Sequence, residues 1–355
     1  MSQTASMSAE ERAEQIQMIR DSATAVVPQS GDLGRIRQLR FKGEGMDSNV
    51  WATMVEMGWP GLRLSEDDGG IGLGVAEYTA LVEELGRGLV PEPMIEVALV
   101  AGLVPEDIRN EILTEGKLIL PVGLGFDNSD KLSFASGKLD GKVLHVPCAD
   151  KADGFLVYCN DQLLLVDAGA DGLAMRNYAT HDGGHVAELS FSQVSAKLLP
   201  KNNSAHIAAC RDEAALAKAA YLVGVMQSAF DRTIEYLKVR KQFGREIGTF
   251  QVLQHRAVDM KIRLELARAT VAQAAAALDD EPDRVQPKLI SAACVVANEA
   301  AMMVCRESIQ LHGGIGYTDE ADIGLFLRKV IVLLNRYGST AFHKRRYMQH
   351  HDEAA

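Results

Sequence analysis

Two stretches of the chain set hydrogen-bond donors beside glycines, the combination a protein needs to hold an anion. In "RKQFGREIGTFQ", residues 240–251, Arg240, Lys241, Gln242, Arg245 and Gln251 crowd around Gly244 and Gly248. Arginine presents a planar fork of donors matched to phosphate. In "QLHGGIGYTDE", residues 310–320, Gln310 precedes Gly313, Gly314 and Gly316, which let the backbone bend tightly and bring its N–H groups close to a ligand. Each stretch alone has a plain structural explanation, because an arginine in a last helical turn offsets the helix dipole and a glycine pair ends a helix. Together they describe a phosphate grip.

Other candidate motifs carry less. "GGIGLG", residues 69–74, has the wrong spacing for a dinucleotide fingerprint, and Glu66, Asp67 and Asp68 just before it would repel phosphate, so it reads as a shaped turn. His181 and His185 in "THDGGH" lie in a glycine turn and not on a helix face, and no metal site is expected. Five cysteines, Cys148, Cys159, Cys210, Cys294 and Cys305, are odd in number and lack metal-type spacing, which predicts reduced, buried thiols. The basic run "HKRRYMQHH" reads as a solvated helix end. A formal net charge of -11 argues against a nucleic-acid partner, so an anionic ligand must be held by a few local arginines.

The elements that must position the two corners follow from periodicity. Residues 1–117 read as an N-terminal helical domain, opened by a capping box at Ser8 and Glu11. Further helices are expected over "SNVWATMVEMG" and "VAEYTALVEELGRGL". Residues 118–202 change to short β-leaning runs, "KLILPVG", "KVLHVP", "GFLVYC", "QLLLVDA" and "HVAELSFSQV", which make a small β domain. Residues 203–355 return to the helical period in three long alanine-rich segments, a bundle whose first turn is residues 240–251. The fold class is therefore mainly α with a central β domain. No secretory-type start is visible, and "LISAACVVANEAAMMVC" is interrupted by Asn298 and Glu299, which suits a core helix better than a membrane span; a cytoplasmic location is expected.

"EYLKVRKQFGREIGTFQVLQHRAVDM" followed by "QLHGGIGYTDE" resembles the C-terminal bundle of the flavin-dependent acyl-CoA dehydrogenases. "MGWPGLRLSEDDGGIGLGVAEYTALVEELGRGLVPEP" is similar to that family's amino-terminal helix-loop-helix, and the resemblance spans nearly the whole chain, weakest in the β domain. It implies a helical, β, helical architecture, with a small β-barrel-like middle domain and a C-terminal four-helix bundle, that desaturates an acyl-CoA thioester with FAD and passes electrons to an electron-transferring flavoprotein. By match to the family motif, Arg240 contacts the FAD pyrophosphate of a neighbouring subunit, Gln242 and Phe243 line the same stretch, and Gln251 lies nearby. Gln310, Gly313 and Gly314 cradle the adenosine end.

The chemistry of the family needs a carboxylate to remove the thioester α proton while hydride leaves the β carbon. In many members that base is a Glu directly before a Gly near the carboxyl end, and here Tyr337 stands before Gly338. A phenol with a pKa of about 10 is a poor substitute. Members that carry the Glu on the first bundle helix place it at the position of Ala214. Glu213 and Asp212 are its acidic neighbours, but one residue turns a helical side chain by about 100°. The β domain also lacks the usual flavin-contacting Thr-Glu-Pro and Trp-Ile-Thr types of segment, since both tryptophans, Trp51 and Trp59, are amino-terminal.

These departures resemble the short subunits of heteromeric, tetrameric acyl-CoA dehydrogenases in which an unlike partner brings the base. Such assemblies are associated with β-oxidation of bulky acyl-CoAs in lipid and steroid catabolism. Two other readings stay open: a self-sufficient homo-oligomeric dehydrogenase using Glu213, and a flavin-free scaffold on the same fold.

Overall fold

The computed structural model describes residues 8–43, 45–126, 131–280 and 286–352. These described residues gather into two compact units, those within 36–74 and 91–214, and those within 8–35, 75–90 and 215–352.

The first unit is a set of short helices beside two sheets. Helices α3 (Ser48–Glu56), α5 (Met94–Ala101) and α6 (Glu106–Glu115) bury Trp51, Met54, Val97, Val100, Ile108 and Ile112, the apolar positions that recur at three and four. Asp47 caps α3, its carboxylate accepting from Asn49 N–H at 2.9 Å, and Trp51 Nε1–H donates to Gly116 O at 2.7 Å. The acidic loop after it folds on itself: Gly70 and Gly72 N–H donate to Ser65 and Leu64 carbonyls at 2.9 and 2.7 Å. Those bonds and the Arg109–Asp68 pair make it a self-satisfied turn.

Eight strands follow as β1 (Ile119–Val122), β2 (Lys131–Ala135), β3 (Lys138–Pro147), β4 (Gly154–Cys159), β5 (Gln162–Asp167), β6 (Leu173–Ala179), β7 (His185–Ser195) and β8 (Lys197–Leu198). They form two four-stranded sheets, ordered β1-β4-β5-β8 and β2-β3-β7-β6. β1 pairs with β4 in parallel and every other pair in these sheets is antiparallel. β1 approaches β3 and β2 approaches β4, so the inner faces close over Leu139, Val143, Phe155, Val157, Leu164 and Leu189 in the manner of a small barrel. β2 alternates but is only five residues long with no fully buried position, and β6 is largely exposed, so neither announces itself as a strand in the sequence.

The second unit is the bundle. Helices α1 (Ala9–Ser22) and α4 (Val75–Arg87) join α7 (Ser204–Val239), α8 (Gln251–Asp280), α9 (Pro287–His312), α10 (Ile323–Leu333) and α11 (Thr340–Asp352); the first turns of α7, through Ala214, count with the first unit. The expected capping box opens α1, with Ser8 Oγ accepting from Glu11 N–H and Glu11 accepting from Ser8 N–H. Central α9 packs against α8, α10 and α11 and buries Ile290, Ala293, Cys294, Ala297, Ala301 and Val304, so its apolar length serves the core. α4 crosses α7 at backbone contact. A Cβ on Gly224 would lie 1.8 Å from Glu83 O, and one on Gly86 would lie 2.1 Å from Tyr221 O, so each helix needs a residue without a side chain where the other passes. Tyr221 O–H donates to Val90 O at 2.8 Å, and Arg20 and Arg268 hold the buried Glu83 carboxylate beside the crossing.

Candidate functional site

The segment after α7 is a β-hairpin and not a simple turn. Arg240 N–H still donates to Tyr236 O at 2.9 Å, closing the last turn of the helix. Strand β9 (Lys241–Gln242) then pairs antiparallel with β10 (Arg245–Glu246), Gln242 opposite Arg245 and Lys241 opposite Glu246. The two residues between them, Phe243 and Gly244, have φ of 53° and 79°, the positive pair that a two-residue hairpin turn requires. Phe243 stands 91% exposed at the tip.

The hairpin separates the five donors into two groups. Lys241 pairs with Glu246 at 3.2 Å, and the Arg245 guanidinium lies over the Phe250 ring at 4.1 Å, with Phe250 meeting Phe243 edge-on at 6.1 Å. Arg240, Gln242 and Gln251 are exposed, and among the described residues no hydrogen bond or ion pair engages their side chains. Thus two cations brace the hairpin, while one cation and two amides remain open to a ligand.

The second corner lies at the end of α9. Gln310 is exposed, and its carbonyl accepts from Gly313 N–H. Gly313 adopts φ 66° and ψ -143°, a region essentially confined to glycine. An added Cβ at Gly313 or Gly314 would meet no atom within 4 Å, so the backbone faces open space at both positions. The 3-10 turn Gly313–Tyr317 continues from there, with Tyr317 exposed.

Tyr236 and His312 join the two corners. Tyr236 is one turn before Arg240 and His312 is two residues after Gln310; their rings stack with centroids 4.4 Å apart and planes at 20°. His312 Nδ1–H donates to Ser308 O at 2.7 Å, which leaves Nε2 as an acceptor, and burial pushes its pKa down so that the ring stays neutral. A cleft of about 480 Å³ opens beside the stack, lined by Tyr236, His312, Ile315 and Arg232 among others. This stack is not legible in the sequence, because a Tyr near the end of one helix and a His near the end of another carry no local pattern.

The candidate positions for a base are built differently. Tyr337 is buried and its backbone carbonyl accepts from His343 Nε2–H at 2.8 Å; Tyr337 and Gly338 both have positive φ, forming a tight turn between α10 and α11. His343 Nδ1 meets Ser291 Oγ at 3.3 Å, and desolvation lowers its pKa from 6.5 to about 4. Nearby, fully buried Lys218 donates to Asn298 Oδ1 at 2.7 Å, and burial lowers its pKa. In the first unit Glu213 is held in a two-pronged ion pair, with Arg63 Nε 2.9 Å from Oε1 and Arg63 Nη2 3.2 Å from Oε2, while Arg63 Nη1–H donates to Leu73 O. Asp212 is 2% exposed and Ala214 is buried beside it. Burial pushes the Cys210 thiol up to about 12, which leaves it unreactive near neutrality. All five cysteines are free; four are buried as expected, but Cys210 is only partly covered, and the described residues hold no group of three potential metal ligands.

Comparison with known proteins fixes the family. Residues 13–106 match the N-terminal domain of acyl-CoA dehydrogenases and residues 209–350 match their C-terminal domain. Acyl-CoA dehydrogenase IpdE2 of Mycobacterium tuberculosis is 30% identical over 322 residues, covering 89% of this chain and 91% of that protein. The chain belongs to the acyl-CoA dehydrogenase family. Among solved structures, a variant of the Tcur3481–Tcur3483 steroid ACAD superimposes with a TM-score of 0.86 at 26% identity, covering 96% of this chain and 99% of that one. A glutaryl-CoA dehydrogenase from Mycobacterium smegmatis, solved in complex with FADH2, shares the fold with a TM-score of 0.82 at 19% identity, over 98% and 95% of the two chains.

Proposed function

We propose that this chain is a subunit of an FAD-linked acyl-CoA dehydrogenase, one that grips the diphosphate and adenosine of a flavin seated in a neighbouring subunit and relies on a homologous partner for the catalytic base. The observation that carries the reading is the pair of stacked corners, whose open donors have no partner among the described residues. The residues present fit an FAD tail. Arg240 supplies the cation and planar fork for diphosphate oxygens, and Gln242 and Gln251 supply neutral donors beside it. The open backbone at Gly313 and Gly314, with the Gln310 amide, suits the close approach of a nucleoside. Phe243 offers an apolar cover that keeps water from the charged contacts.

When bound, the flavin would take up the hydride that leaves the thioester β carbon. The matching α proton needs a carboxylate, and neither family position supplies one here: Tyr337 is a buried phenol and Ala214 is apolar. Use of Glu213 would require it to leave Arg63, which occupies both its oxygens. The relative whose structure is named for two proteins, Tcur3481 and Tcur3483, supports an assembly of unlike chains, and its description as a steroid ACAD supports a bulky acyl-CoA substrate. An electron-transferring flavoprotein is the proposed electron acceptor, and the cytoplasm the proposed location.

Co-expression with a homologous chain that retains the Glu-Gly pair tests this. The co-purified complex is expected to be yellow and to bleach with a bulky acyl-CoA, while this chain alone turns over no substrate. Arg240→Ala in the complex is expected to weaken flavin retention by about 10- to 100-fold, the loss of one charged hydrogen-bonding contact. Full turnover by the purified chain without a partner would defeat the proposal, as would a complex whose flavin content ignores Arg240→Ala.

A further inference from the structure

The first helix of the bundle is docked on it mainly by charge. Arg12, Ile16, Ile19 and Arg20 recur at the spacing of one helical face, and Glu10, Glu11, Glu14 and Asp21 are left exposed. From Glu10 to Ser22 no residue of α1 is buried, and Ile16 and Ile19 are only half-covered. Two arginines make the contact. Arg12 pairs with Asp279 and lies 3.5 Å from Glu77, while Arg20 meets Glu83 at 2.8 Å and Glu84 at 2.6 Å. Three of these four carboxylates have further partners outside α1. Asp279 accepts from Val75 and Ala76 N–H at 2.6 and 3.1 Å, Arg268 holds Glu83, and Glu84 lies 3.4 Å from Arg87. Glu77 differs. It is completely buried, and neither of its oxygens makes a hydrogen bond among the described residues; Oε1 of Gln15, on α1, is buried in the same unsatisfied state.

We infer that α1 is a releasable strap, which leaves the bundle as one unit by hinging after Ser22 while α4, α8 and α9 stay folded. Docking buries a carboxylate and an amide oxygen without hydrogen bonds, a cost that release into water removes. Against it stand little apolar area and the ion pairs of two partly exposed arginines, and pairs of that kind stabilise weakly. Release leaves the rest whole, because Asp279, Glu83 and Glu84 keep the partners they have on α4 and α8. Burial sets the hinge. Ala23 and Val26 are 1% and 8% exposed and anchor the chain immediately after the helix. Once free, a helix of 14 residues is marginal in water and exchanges its amides readily. The inference does not depend on flavin binding or on a partner chain.

Hydrogen exchange of the purified full-length chain, read by mass spectrometry on overlapping peptides, tests it. Amides across residues 12–22 are expected to share one level of protection, about 100-fold below that of α9, the mark of a cooperative local opening. Arg12→Met with Arg20→Met keeps side-chain length and removes both charges. That variant is expected to lower the protection of residues 12–22 by about a further tenfold and to leave α9 and the melting temperature unchanged. Protection that rises steadily from Arg12 to Ser22 would mean fraying from the end and would overturn the inference, as would a wild-type segment as protected as α9. A double variant with unchanged protection of residues 12–22, or one that loosens α9 to the same extent, would overturn it as well.

Discussion

The bundle treats its polar groups in two opposite ways. At the stacked corners Arg240, Gln242, Gln251 and Gln310 stand in solvent with no partner among the described residues, and the backbone at Gly313 and Gly314 faces open space. In the interior Lys218, Asn298, Ser291 and His343 are fully or almost fully buried, and each has a hydrogen-bond partner within the bundle. Burial without a partner costs free energy, so an interior polar group must be answered by the fold itself. Solvent exposure carries no such demand. A group kept open is free to answer a ligand, and the contrast separates residues that hold the structure from those available for binding.

Placing the same substitution in both regions tests that separation most severely. Gly224→Ala puts a methyl group into the Glu83 carbonyl at a rigid helix crossing, and a loss of about 3 kcal/mol, at the upper end of overpacking, is expected by chemical denaturation. Gly86→Ala is expected to behave alike. The next effect is acid sensitivity. His343 has its pKa lowered from 6.5 to about 4, so the unfolded chain binds the extra proton first as pH falls. Stability is then intact above pH 6.5 and declines as the pH drops from 6.5 to about 4, by no more than about 3 kcal/mol. Denaturation midpoints across that range check it, and His343→Gln should flatten the dependence. The smallest stability effect is at the corner. Gly314→Ala meets no atom, so a change within about 0.5 kcal/mol is expected. A Gly314→Ala chain as unstable as Gly224→Ala would erase the distinction.

Much of this arrangement is legible in the residues. The capping box of α1, the end of the second sequence-read helix near Gly58 and the three long bundle helices follow from caps and apolar period, because each signal is local. Edge strands β2 and β6 escape: β2 alternates over only five residues with none fully buried, and β6 is exposed along most of its length. Helices α2 (Gly34–Lys42), α5 and α6 also escape, all three being short and the last two starting at a proline with no capping side chain that announces them. At the site, donor types and glycines mark both corners, but the division of labour among the donors does not show. Whether Arg245 stacks on Phe250 or stays open depends on the hairpin, and Phe-Gly is not among the dipeptides that signal one. Likewise the engagement of Glu213 by Arg63 joins residues far apart in sequence.

Phe243 gives the hairpin a further meaning. A bulky residue held at φ 53° carries backbone strain of about 1–2 kcal/mol, and its ring, 91% exposed, recovers little of that by packing on its own chain. The lone polypeptide would therefore be better off with asparagine or glycine there. A loop tip that is unfavourable in isolation turns into an asset only where another molecule covers it, so under the proposed assembly thermal tolerance of the lone chain and tightness of the contact would pull in opposite directions at this single residue.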